Sequence, residues 1–223
     1  KSPLSALRIA ELAIEAGVPA GVFNVLPGGG SEVGEPIGRH MDIDMVSFTG
    51  STLTGRKFLT YASESNLKEV TLEMGGKNPA VVLDDAENLD RVAAHVVNGA
   101  FWNMGENCSA ASRLIVQKGV KNDLLKRIIA HAREWPMGDP LNPDSGAGAI
   151  VDGEQTGRIM RAIEQARGEG AQLVAGGEQL RINGSSNFIQ PTIFDNVTNN
   201  MRIARDEIFG PVLSVIVFDN EEE

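Results

Sequence analysis

Apolar residues near the start of the chain recur at helical spacing. Leu4, Leu7, Ala10, Leu12 and Ile14 predict a helix that Ser2 caps, Pro3 opens at its first position and Gly17 ends. The apolar run from Val22 to Leu26 predicts a short strand, followed by a Pro27-Gly28-Gly29-Gly30 loop and a helix from Gly34 to Arg39. Met45 to Phe48 then predicts a strand that runs into Thr49-Gly50-Ser51-Thr52. Strand, glycine turn and helix thus alternate twice, the mark of parallel α/β units, which bind ligands at the carboxyl ends of their strands.

From Lys68 to Met74 the pattern changes to period two, with Val70, Leu72 and Met74 on one face and Thr71 and Glu73 on the other. Gly75-Gly76 ends this strand and sets the expected domain boundary, 1–76 before it and 77–223 after it. The second α/β series reads as a strand Ala80 to Leu83, a helix Leu89 to Asn103, a loop holding Cys108, a strand Arg113 to Val116 and an amphipathic helix Asn122 to Trp135. Beyond the polar loop Pro136 to Ser145 come a helix Gln155 to Arg167 and strands near Leu173, at Phe188 to Ile193 and at Val212 to Phe218. The acidic run Glu221-Glu222-Glu223 has the composition of a helical first turn, and with the non-Met start the expectation is a piece of a longer protein. No repeat of fixed period is present.

Composition narrows the functional classes. At 42% hydrophobic and 22% charged, 223 residues suffice for one substantial core or two modest ones. A formal charge of -10 argues against nucleic acid and against an anionic membrane surface as partners. No apolar run approaches the ~18 residues of a membrane span, and the first residues lack a signal-peptide layout, so a reducing cytoplasm is the expected compartment. A single cysteine excludes an internal disulfide, and His40, His95 and His131 are too scattered for metal-ligand spacing, so no metal is expected.

Three places can carry chemistry. Thr49-Gly50-Ser51-Thr52-Leu53-Thr54-Gly55, between strand and helix, is suited to receive a phosphate on backbone N–H groups, and Gly30-Ser31-Glu32-Val33-Gly34 repeats the arrangement. A plain Gly-Ser-Thr turn into a helix is the commoner explanation of the first, and loops like the second also occur with no ligand. Glu73, on the minority-polar face of a strand end before two glycines, reads either as a general base or as a solvated carboxylate that pairs with Lys77. Cys108 lies among small and polar neighbours, Gly105 to Ser112, unlike an inert core cysteine. A nucleophilic role would require a lowered thiol pKa or a nearby base such as Glu73; a free, non-functional cysteine is the alternative reading.

Taken together, Phe48-Thr49-Gly50-Ser51-Thr52 with Gly55, Val70 to Lys77, the Gly105 to Ser112 loop and Glu207-Ile208-Phe209-Gly210-Pro211-Val212 resemble the aldehyde dehydrogenase superfamily in order and spacing. The resemblance implies an α/β fold: the C-terminal part of a Rossmann-like dinucleotide-binding domain (1–76), followed by most of an α/β catalytic domain (77–223). It implies Cys108 as nucleophile, with its backbone N–H in the oxyanion hole, and Glu73 as the base that activates the deacylating water. It also implies NAD, with NADP as the alternative, contacted by Gly30, Gly34, Gly50, Ser51, Thr52, Gly55, Leu72, Gln155, Glu207 and Phe209. Ser51 is matched to the pyrophosphate, Glu207 to the nicotinamide ribose, Phe209 to ribose and ring, and Gln155 to a ribose contact. The expected substrate is an aldehyde, of γ-aminobutyraldehyde or γ-glutamylated amino aldehyde type, and the expected assembly is a homodimer or homotetramer. The segment that selects NAD over NADP and the oxyanion-hole Asn would precede Lys1, so residues 1–223 alone are expected to turn over weakly or not at all. Glu106-Asn107 departs from the family's usual Gln and small residue, and Glu106 reads either as a contact for a cationic aldehyde or as a solvated loop residue. An acylating, coenzyme A-dependent relative is the rival enzyme reading; it would not need Glu73.

Overall fold

The computed structural model describes all 223 residues. They separate into two compact units, Lys1–Gly75 and Gly76–Glu223.

In the first unit, α1 (Leu4–Glu15) has Pro3 at its N-cap position with no side-chain cap, so Ser2 does not cap it. None of its residues is buried. The expected strand at 22–26 does not form: Val22, Phe23 and Leu26 lie exposed and pair with no neighbouring strand. Without a ladder partner, an apolar run has no reason to hold a strand's backbone. Gly30–Gly34 forms one π-type helical turn that leads into α2 (Glu35–Arg39). β1 (Met45–Gly50), α3 (Thr52–Ser63) and β2 (Glu69–Met74) make a βαβ unit whose strands pair in parallel. Its core joins Val46, Phe58 and Ala62, with the Phe48 and Phe58 rings 4.8 Å apart. Buried Lys68 is held by its ammonium donating to Gly38 O at 2.7 Å and Ser65 Oγ at 3.0 Å.

The second unit is a five-stranded sheet between helices. Its strands are β3 (Pro79–Val82), β4 (Arg113–Gln117), β5 (Gln172–Ala175), β8 (Thr192–Asp195) and β9 (Val212–Phe218), in the order β3-β4-β9-β8-β5. All neighbours are parallel except β5, which runs antiparallel on β8. A separate hairpin joins β6 (Gln179–Ile182) and β7 (Ser185–Ile189). The helices are α4 (Leu89–Phe101), α5 (Lys118–Arg133), α6 (Gly153–Gly168) and α7 (Arg202–Arg205). β9 shows why the layers form. Leu213 and Val215 point into the cluster made with α4 and α5 (Val97, Phe101, Leu124, Ile128), while Val212 and Ile216 point into the cluster made with α6 and α7 (Ile159, Ile163, Ile203). A strand buried on both faces must be apolar throughout, as this one is apart from Ser214, whose hydroxyl donates to Ile203 O.

Several boundaries differ from expectation. α5 starts at Lys118, one turn early. The strand expected at 188–193 is two strands, broken at Gln190-Pro191, because proline brings no N–H to a ladder. β6 and α7 were not expected, and Glu221-Glu222 lies in a turn rather than a helix. No helix is long and apolar enough to cross a membrane.

Candidate active site

In the first unit, the parallel register of β1 and β2 brings the candidate residues to one end of the sheet. Phe48 is paired with Leu72, Thr49 with Glu73 and Gly50 with Met74, so the exposed Glu73 lies beside the strand that feeds the Gly50-Ser51 turn. Ser51 is the N-cap of α3: its Oγ accepts from Thr54 N at 3.3 Å and shares a hydrogen bond with Thr54 Oγ1 at 3.0 Å. Thr52 is the first residue of the helix. The free N–H groups and the positive end of the helix dipole there suit an anion.

The glycines of this unit divide by role. A side chain on buried Gly55 would come within 2.9 Å of Met74 Sδ and 3.5 Å of Leu72 Cδ2, so this glycine seats α3 against β2. A side chain on Gly50 would press on the Phe48 ring at 2.6 Å. One on Gly34 would only touch Phe58 at 3.9 Å, and one on Gly30 would meet open space. Gly30 opens the π-turn, where Glu32 closes a capping box by accepting from Gly29 N. Leu72 is half-buried, its side chain turned toward α3 at Gly55.

In the second unit, Cys108 is exposed and follows a kinked stretch at Trp102–Gly105. After α4 ends, Asn103, Met104 and Gly105 all take left-handed backbone conformations, with φ of 51°, 56° and 67°. Only glycine adopts this at little cost; for Asn103 and Met104 it is strain that surrounding contacts must hold. Asn103 Nδ2 donates to Glu106 O at 2.9 Å, and Glu106 N donates to Asn103 O at 3.0 Å. Gly105 lies directly on the main chain of Gly210-Pro211, where any side chain would collide. This contact joins the cysteine loop to the segment carrying Glu207 and Phe209.

Gly76 makes a second join: its N–H donates to Glu207 Oε1 at 3.3 Å, and a Cβ there would lie 3.2 Å from Cys108 O. Asn78 Nδ2 donates to Cys108 O at 2.8 Å. Asn107 Oδ1 accepts from Ser109 N at 3.1 Å and Ser109 Oγ at 3.0 Å, with Cys108 Sγ at 3.9 Å. The structure therefore brings Cys108 and Glu207 together around Gly76. Sequence reasoning missed Asn78 and Gly105, although Gly75-Gly76 signalled a close approach of backbone.

Gln155, matched to a ribose contact, lies in the first turn of α6. It is buried, and its amide donates to Ile208 O at 3.1 Å and Phe209 O at 2.7 Å while its oxygen accepts from Arg158. Its donors are committed to holding the Glu207–Phe209 turn, where Phe209 has a left-handed φ of 54° and a half-exposed ring. Glu106 is also not a freely solvated residue. Both carboxylate oxygens accept from Val151 N, at 3.3 and 3.2 Å. Partial burial raises its pKa above the ordinary carboxylate value, the Val151 hydrogen bond opposes this, and Asp152 adds to the rise. Lys77 has no hydrogen-bond partner for its buried amine. Burial, then Arg113, lowers its pKa to about 8, against the pull of Asp206 and Glu207.

The family model for the aldehyde dehydrogenase family matches residues 1–223. The chain belongs to the aldehyde dehydrogenase family. Among curated relatives it is 58% identical over 223 residues to the aminoacetaldehyde dehydrogenase of Pseudomonas aeruginosa, covering 100% of this chain and 44% of that protein. It is 45% identical to aldehyde dehydrogenase family 2 member C4 of Arabidopsis thaliana, with the same coverage. Among solved structures it matches the aldehyde dehydrogenase KauB of Pseudomonas aeruginosa with a TM-score of 0.96 at 48% identity, over 99% of this chain and 45% of that one. It also matches a γ-glutamyl-γ-aminobutyraldehyde dehydrogenase of Burkholderia cenocepacia with a TM-score of 0.95 at 48% identity, over 99% of this chain and 44% of that one. An indole-3-acetaldehyde dehydrogenase solved with NAD+ gives 0.96 at 48% identity, over 99% of this chain and 45% of that one. The fold expected from sequence, α/β with parallel sheets of the aldehyde dehydrogenase type, is the one observed. The chain spans less than half the length of the relatives it matches.

Proposed function

We propose that this chain carries the nucleophile, the deacylating base and much of the cofactor site of an NAD-dependent dehydrogenase that oxidises an amino aldehyde to a carboxylic acid. The observation that carries the reading is the exposed Cys108 on a strained loop pinned against Gly210-Pro211, directly after the Glu207–Phe209 segment. A merely structural cysteine has no need of such a setting. The amino aldehyde class is supported by the 58% identity to an aminoacetaldehyde dehydrogenase and by the likeness to a γ-glutamyl-γ-aminobutyraldehyde dehydrogenase.

NAD fits the donor set: the N-terminus of α3 capped by Ser51 offers N–H groups to a phosphate, and Glu207 offers a carboxylate to ribose hydroxyls. When bound, NAD supplies the hydride acceptor. Cys108 Sγ, as thiolate, attacks the aldehyde carbon, and the carbonyl oxygen takes the negative charge as a thiohemiacetal forms. The Cys108 backbone N–H stabilises that oxyanion. As the carbon loses hydride, the oxygen's electron pair re-forms the carbonyl and leaves a thioester on Cys108. Glu73 takes a proton from water, which attacks the thioester and releases the acid and the thiolate. Ser51, Thr52, Gly30, Gly34, Gly50, Gly55 and Leu72 serve the dinucleotide side; on the nicotinamide side Phe209 packs against ribose and ring while Gln155 holds the turn that carries it.

The test is reduced-cofactor fluorescence from the full-length protein with NAD or NADP and a panel of neutral and amino aldehydes, with Cys108→Ser as control. Signal with amino aldehydes that disappears in Cys108→Ser is expected. Undiminished turnover in that variant would remove Cys108 from the chemistry. A product that changes on adding coenzyme A would favour the acylating reading instead.

A further inference from the structure

Glu106 lies two residues before Cys108, yet both of its carboxylate oxygens are turned to the Val151 N–H, 45 residues away in sequence. Val151 joins buried Ile150 to Asp152, the N-cap of α6, whose Oδ1 accepts from Gln155 N at 2.8 Å. Gln155 in turn holds the carbonyls of Ile208 and Phe209. One continuous path therefore runs from the cysteine loop through the start of α6 to the Glu207–Phe209 turn. The loop needs such a hold, because its two non-glycine left-handed residues, Asn103 and Met104, are strained.

We infer that Glu106 is a positioning residue for catalysis: its carboxylate ties the Cys108 loop to the start of α6 and so keeps the nucleophile in register with the Glu207–Phe209 turn. The inference rests on the reading of Cys108 as nucleophile. It assigns Glu106 a role different from recognition of a cationic aldehyde, since both carboxylate oxygens are turned to the protein's own backbone. Chemically, any acceptor of the same length can do this work. Glutamine, which keeps one carbonyl oxygen, would serve; methionine, of similar size without an oxygen acceptor, would not.

The experiment compares Glu106→Gln and Glu106→Met in the full-length protein by steady-state kinetics with a neutral and an amino aldehyde and by hydrogen exchange of peptides covering 103–109 and 148–153. Methionine fills the same volume, so folding is retained, and thermal unfolding checks it. The expected result is faster exchange in both peptides of Glu106→Met, with kcat lowered about ten- to hundredfold for both aldehydes and the aldehyde KM within about threefold. Glu106→Gln is expected to restore both readouts. Unchanged exchange in Glu106→Met would overturn the tie itself, and faster exchange with unchanged kcat would overturn its catalytic importance. A loss confined to the amino aldehyde, equal in both variants, would make Glu106 a substrate contact. Because exchange is read without turnover, these outcomes stay distinct from failure of the Cys108 reading, which Cys108→Ser tests alone.

Discussion

Lys77 offers a quantitative test of the electrostatics around the site. Its amine is buried without a hydrogen-bond partner, and its pKa falls from 10.5 to about 8. At 1.36 kcal/mol per pKa unit, the charged amine costs the fold about 3 kcal/mol near neutrality, an order-of-magnitude value. The folded pKa lies below the unfolded one, so the unfolded chain binds more protons between them. Stability from this group is therefore complete above the unfolded value and is lost as pH falls through about 8. Lys77→Met removes the titration. The variant should exceed the parent in stability by about 3 kcal/mol at about pH 7, and the excess should shrink by about 2 kcal/mol by about pH 9.5. Urea unfolding followed by tryptophan fluorescence reports the right unit, because Trp102 and Trp135 are the only tryptophans and both lie in Gly76–Glu223. Taking the difference between variant and parent at each pH cancels the titration of every other group. A difference that stays constant across that range would show that the amine keeps its ordinary pKa, and the argument would fail.

Other substitutions test separate links. Ser51→Ala removes the cap of α3 and should lower stability by about 1 kcal/mol, measured by thermal unfolding; no loss would mean the cap is satisfied otherwise. Gly105→Ala forces a side chain into the Gly210-Pro211 main chain and should destabilise the second unit by more than about 2 kcal/mol while depressing Cys108-dependent turnover. Lys121→Met strips the partner from the carboxylate of buried Asp195 and should cost about 3–5 kcal/mol in urea unfolding, whereas an exposed pair such as Lys118 with Asp219 should cost under about 1 kcal/mol. Glu73→Gln should lower steady-state turnover about 10²-fold or more while leaving a burst of reduced cofactor, read by stopped-flow fluorescence; loss of the burst would place Glu73 before deacylation.

Local pattern carried much of the architecture. β9 is apolar at almost every position because both of its faces are covered, and the same residues would look out of place in any solvated element. The Gly50-Ser51-Thr52 turn was legible because a hydroxyl at an N-cap, between an apolar strand and a helical period, acts within four residues of itself. Cys108 stood out through its small and polar neighbours, and the motifs in register pointed to the aldehyde dehydrogenase family.

What escaped the pattern depended on partners far along the chain. The run at 22–26 has the composition of a strand but no neighbour to pair with, and Pro191 cuts what reads as one strand into two. Period and propensity, acting over a few residues, thus determined most of the helices and strands, and local residue chemistry indicated where an anion or a nucleophile was to be sought. Only the tertiary structure decided that Gly105 rests on Gly210, that Asn78 holds the Cys108 carbonyl, that Glu106 reaches Val151 and that Gln155 spends its amide on the turn behind Phe209. Each of these is a short-range contact between groups 30 to 105 residues apart, and hydrogen bonding and steric exclusion act across space, leaving no periodic trace in the sequence.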